Sequence, residues 1–182
     1  MPARSRSHLE RVLFVVGNQN AGKSKLLRHL FVDTRFGTRG MIPKGKVGRV
    51  DLSLSRCLYF QLSSPHEKNK SLKNFLRDID LKAKTAWHTH WRFNFACALQ
   101  PNATSKMPSA ADTAIKVLNQ FQPERILVAL IDPQQDEEPG SLPPRKDIDR
   151  MWANDIEVIK VDARRAGMLM TGRHLADFFD FT

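Results

Sequence analysis

Cysteine is nearly missing from this chain: Cys57 and Cys97 are the only two. They are too few and too widely spaced for a disulfide framework or a zinc site. Both stand in apolar runs, where a buried free thiol is expected. Long apolar stretches are missing as well, so no segment reads as a membrane span. Arg4 and Arg6 precede the apolar run Val12–Val16, as in a secretory leader. That run is too short and leads straight into a glycine loop, so a cytoplasmic protein is expected. Repeats and low-complexity tracts are absent. Acidic residues are scarce in the first third: residues 1–60 hold 12 Lys and Arg against Glu10, Asp33 and Asp51, a net of +9. The remainder is almost balanced, with 17 against 16. A polyphosphate site accounts for part of this excess. An acidic partner or a nucleic acid is a further reading of residues 1–60, although no nucleic-acid-binding motif is present.

What the chain does have is Gly17-Asn18-Gln19-Asn20-Ala21-Gly22-Lys23-Ser24. This is the phosphate-binding P-loop pattern, glycine, four residues, then Gly-Lys-Ser. At average residue usage it arises by chance in roughly one chain in a hundred of this length. Its context is also right. Arg11–Val16 upstream is a β-branched apolar run that reads as a buried strand. Downstream, Leu26, Leu27, Leu30 and Phe31 recur at helical spacing from Lys25 onward. A helix start carries amide groups without intrahelical partners, and its dipole favours negative charge. The loop amides of residues 17–25 are therefore expected to surround a phosphate. Lys23 is placed to reach the β- and γ-oxygens and the charge that develops in a transition state, and Ser24 to ligate Mg²⁺.

The rest of the chain alternates strands and helices. Strands are expected at 50–54, 57–62, 92–99, 125–131 and 156–161. Helices are expected at 71–86, 109–121 and 147–154, and from a Thr171 cap to about Phe179. Residues 33–49 form a basic, glycine-rich connection without periodicity. Thr34 and Thr38 offer it a hydroxyl for Mg²⁺ if it closes on the loop; a surface loop is the other reading. His88 and His90 are spaced as a metal pair, but aromatic packing beside Trp87 and Trp91 is preferred, since no third ligand lies near. The implied fold is α/β, a three-layer sandwich around a mostly parallel sheet of about six strands. The expected organisation is a basic N-terminal arm over residues 1–10 and one nucleotide-binding domain over 11–182.

The P-loop and the element order together resemble the P-loop nucleoside triphosphatases, and in outline the Ras-like small GTPases. The resemblance implies a bound ATP or GTP with Mg²⁺, nucleotide hydrolysis and a protein partner. It lays the first switch near Thr34–Thr38 and the second on Leu62–Glu67. It puts base recognition at the end of Ile126–Asp132 and a base-covering loop at Val161–Arg164. The family's second switch opens with an aspartate and a glycine; Leu62-Ser63-Ser64-Pro65-His66-Glu67 has neither. Of the guanine-reading Asn-Lys-x-Asp, Ala129-Leu130-Ile131-Asp132 keeps only the last residue. Asp132 is then a guanine reader, a Mg²⁺-supporting acid or an ordinary strand-end carboxylate. Gln61, His66 and Glu67 are candidates for orienting a water, and Arg35, Arg39 and Arg164 for charge stabilisation. Arginines in the later loops, Arg145, Arg150, Arg164, Arg165 and Arg173, keep a small-molecule or nucleotide kinase in play. A non-catalytic assembly protein that retains its nucleotide is the third reading.

Overall fold

A computed structural model describes residues 6–136 and 138–182. The order of elements is β1 (His8–Val16), α1 (Lys23–His29), β2 (Arg49–Asp51), β3 (Arg56–Gln61), α2 (Leu72–Ala86), β4 (Arg92–Leu99), α3 (Ala110–Phe121), β5 (Arg125–Ile131), α4 (Arg145–Trp152), β6 (Glu157–Val161) and α5 (Met168–Ala176). They build one sheet in the order β2-β3-β4-β1-β5-β6. Every neighbouring pair is parallel except β2 with β3, a hairpin that fits the two closely spaced strands read from the sequence. The expected α/β architecture is therefore the one observed.

Side-chain alternation explains why both faces are covered. Along β1, Val12, Phe14 and Val16 enter one core with Phe75 and Ile79 of α2, Val117 of α3 and Met151 of α4. Leu13 and Val15 enter the other, with Leu26 and Leu27 of α1 and Leu175 of α5. A strand buried on both faces reads as a continuous apolar run, as β1 and β5 do. On the α1 side the central strands carry small residues, Ala96, Ala98 and Ala129, which let the helix lie close to the sheet. Gly172 of α5 serves the same end, because a β-carbon there would collide with the His29 carbonyl at the end of α1. Among the described residues, no helix is long and apolar enough to cross a membrane.

Several boundaries differ from the sequence reading. The first strand starts at His8, so residues 8–10 belong to the sheet and not to an N-terminal arm; residues 1–5 lie outside the described residues. Glu10 is the cause. It is 1% exposed and accepts from Arg56 Nε at 3.0 Å and Arg92 Nη1 at 2.8 Å. The expected caps Ser71 and Ser109 do cap α2 and α3, accepting from the amides of Asn74 and Asp112. Thr171 does not cap α5. The helix has already begun at Met168, and the Thr171 hydroxyl donates to the Asp162 carbonyl at 2.9 Å. Both thiols are buried and free; burial pushes the Cys57 thiol up to about 11. His90 is buried beside a Trp87–Trp91 ring contact at 5.7 Å, with its Nδ1 2.8 Å from Thr89 Oγ1.

Candidate functional site

β1 ends in the sheet centre, and the chain turns there into α1. The Gly17 amide donates to the Leu99 carbonyl, which ties the loop to β4. Asn20 and Gly22 both take positive φ, 65° and 98°. That left-handed geometry is what a glycine supplies cheaply. No side chain caps the helix start. Gln19, Asn20, Gly22, Lys23, Ser24 and Lys25 line a cleft of about 290 Å³ together with Arg28, Glu67 and Gln135. Of the other loop residues expected at the site, Gly17 and Ala21 are buried and Asn18 is exposed, and none of the three lines the cleft.

Lys23 is 4% exposed. Its ammonium donates to the Asn18 carbonyl and pairs with Glu67 Oε1 at 3.1 Å. Burial lowers its pKa, and the hydrogen bond it donates to Glu67 opposes that shift. The Ser24 hydroxyl donates to the Leu62 carbonyl at 2.6 Å. The segment 62–67 thus holds both groups that the motif reserves for polyphosphate and Mg²⁺. It reaches them although β4 lies between β3 and β1. His66 makes the crossing possible. Its Nε2 lies 2.8 Å from the Pro108 carbonyl and its Nδ1 accepts from the Gln100 amide at 3.4 Å, just past the end of β4.

That arrangement separates two of the three candidate water-orienting residues. Glu67 lies in the cleft. His66 is 5% exposed, with both ring nitrogens occupied, so it positions the segment and does not face the cleft. Burial holds its pKa below the usual histidine value. The folded state therefore resists a proton that the unfolded chain accepts below about pH 6.5. Stability attributable to His66 is complete above that pH and falls as the pH drops through the lowered folded value. His90 is shifted the same way, by burial first. Urea melts at pH 7 and pH 5 check this. The wild type loses stability on acidification, and H66Q loses less.

Thr38 is not in the cleft. Its hydroxyl donates to the Phe31 carbonyl at 3.0 Å. The rings of Phe31, Phe36 and Phe60, 5.2 to 6.5 Å apart, hold residues 31–38 against the α1–α5 face, away from Ser24. Among the described residues no cluster of three or more His, Cys, Asp and Glu could hold a metal ion. Mg²⁺ commonly rests on few protein ligands plus phosphate and water, and Ser24 suits that role once it leaves Leu62. Asp132 ends β5 beside the loop, but its carboxylate is spent. Lys160 Nζ donates to it at 3.0 Å and the Gly140 amide at 3.1 Å, and Lys160 above all holds its pKa down. Arg35 pairs with Asp33 and Asp177, Arg164 with Asp162, Arg145 with Asp149 and Arg150 with Asp112.

The sequence reading missed two residues in the cleft. Gln135 donates to the Asn20 carbonyl at 2.7 Å, which closes one side of the loop. It sits in a polar excursion after β5 with no pattern to mark it. Arg28 follows Ser24 by one helical turn; that spacing is visible in the sequence. Ala163 of the expected base-covering loop packs on the same glycine, 3.6 Å from where a Gly22 β-carbon would stand.

No protein-family model matches this chain, and no curated protein matches it. Among solved structures, one of a de novo designed PLOOP2X3_50 fold protein, determined in solution by NMR, is 13% identical. It covers 93% of each chain with a TM-score of 0.42.

Proposed function

We propose that this chain binds a nucleoside triphosphate, ATP or GTP, with Mg²⁺ at residues 17–25, hydrolyses it and signals the bound state to a partner protein. One observation carries the reading. Lys23 and Ser24 are both held by residues 62–67, through Glu67 and the Leu62 carbonyl. A polyphosphate with its metal competes for the same two groups. Binding therefore frees 62–67, and hydrolysis with phosphate release lets the segment return. A contact exchanged in this way is a two-state element biased by ligand, which is what a switch requires. Glu67, once released, is the carboxylate nearest the phosphates and the candidate for orienting water.

A kinase is the second reading, favoured by Lys25 and Arg28 in the cleft beyond the loop itself. Transfer of label from the triphosphate to an acceptor rather than to water separates the two. The binding claim is tested by melting the protein with ATP, GTP and their diphosphates, with and without Mg²⁺. A saturating ligand at one hundred times its Kd adds about 2.7 kcal/mol, a rise of several degrees. Trypsin is the second probe. Cleavage at Lys68 and Lys70 speeds up when triphosphate displaces the segment. A melting temperature that ignores every nucleotide overturns the proposal.

A further inference from the structure

Two further cations, Lys25 and Arg28, line the cleft besides Lys23. Arg28 lies one turn after Ser24 on α1. Helical side chains lean toward the helix N-terminus, and Arg28 lines the same cleft as Ser24. The Nε of Arg28 is buried and has no hydrogen-bond partner among the described residues. One Nη reaches the Gly45 carbonyl, at the limiting distance of 3.5 Å. Lys25 lines the same cleft and is exposed. Among the described residues neither cation has a salt bridge, while the only carboxylate lining the cleft, Glu67, is paired with Lys23. A guanidinium offers five donors in a rigid fork that matches phosphate oxygens two at a time. A buried donor left unpaired is costly, and the guanidinium gains partners by turning its fork toward an anion that enters the cleft.

We propose that Arg28 and Lys25 form a subsite for one further phosphate dianion beside the P-loop. The inference rests on the nucleotide reading above, because the cleft shared with Lys23 and Ser24 sets where the subsite lies. Its phosphate has two sources: the terminal phosphate of a triphosphate seated in the loop, or a phosphomonoester carried by a second ligand. In the first case Arg28 distinguishes triphosphate from diphosphate. In the second it anchors an acceptor.

Calorimetric titration of the wild type, R28A and R28K decides. The ligands are a nucleoside diphosphate, the matching non-hydrolysable triphosphate, and phenyl phosphate added to diphosphate-loaded protein, all with Mg²⁺. R28A is expected to bind the diphosphate within about threefold of the wild type. It loses about 10- to 100-fold toward the triphosphate if the terminal phosphate is the occupant, or toward phenyl phosphate if a second ligand is. R28K keeps the charge without the fork and recovers part of the loss; it also serves if R28A does not fold. If R28A and R28K bind every ligand as the wild type does, or lose all of them equally, the subsite is wrong and the P-loop reading stands. If the wild type binds no nucleotide, the P-loop reading fails and the subsite falls with it.

Discussion

Lys23→Ala is expected to weaken nucleotide binding by at least about 100-fold, roughly 2.7 kcal/mol, and to erase the ligand-induced rise in melting temperature. Three effects add in the same direction. The ammonium is the charge placed deepest in the cleft, and charge-assisted bonds to phosphate are among the strongest available. Its burial means that little water shields it, so the attraction is stronger than at an open surface. Removing it also leaves Glu67 unpaired and facing the incoming phosphates. Lys23→Ala with Glu67→Gln separates that third effect: the double variant binds better than the single one, yet still far more weakly than the wild type. In the absence of ligand, Lys23→Ala changes stability by only about 1 kcal/mol, because the Glu67 carboxylate it leaves behind is 29% exposed and regains water. Fluorescence titration with a labelled nucleotide measures binding; a urea melt of the free protein measures the rest. Nucleotide affinity equal to wild type in Lys23→Ala would falsify the phosphate site.

The parts of this site that the sequence made legible are local ones. Gly17–Ser24 carries its conformation in its own residue types, and the strand before it and the helix after it follow from apolar spacing. Glu67 was also named, but its partner was not, since 44 positions separate it from Lys23. That contact depends on β4 lying between β3 and β1, a choice of strand order that no local pattern records. His66 shows the reverse failure. A polar residue in a polar stretch looks available for chemistry, and only the Pro108 carbonyl and Gln100 amide show that it is a buried tie. Thr38 fails for a related reason: three phenylalanines, scattered in sequence, pull its loop to another face. Arg28 was within reach of reasoning. Ser24 to Arg28 is a single helical turn, and the same arithmetic that finds an apolar face finds a cation one turn beyond the proposed phosphate site.

The second large effect is expected far from the cleft. Glu10→Ala should destabilise the fold by about 3 kcal/mol, the lower part of the range for breaking a buried ion pair from one side. Glu10 lies near the start of β1, 1% exposed, against Arg92 of the adjacent β4 and Arg56 of β3, one strand further on. Arg56 Nε bonds both its oxygens at 3.0 Å, Arg92 Nη1 bonds one at 2.8 Å, and Asn94 Nδ2 reaches the other at 3.4 Å. Losing the carboxylate leaves Arg56, which is 16% exposed, with Asp180 and the Thr182 carbonyl as the remaining partners of its side chain among the described residues. Arg92 suffers less, being 41% exposed and still paired with Glu124. That partial escape sets the estimate near the low end. Glu10→Gln keeps the shape and two polar atoms, so it should cost less than Glu10→Ala. Chemical denaturation at pH 7 orders the three proteins. Because the same cluster ties residues 180–182 to β3, Glu10→Ala should also loosen them, which is read as faster amide exchange at those residues than in the wild type. Equal stability of Glu10→Ala and wild type would mean that the charges at this end of the sheet are solvated after all.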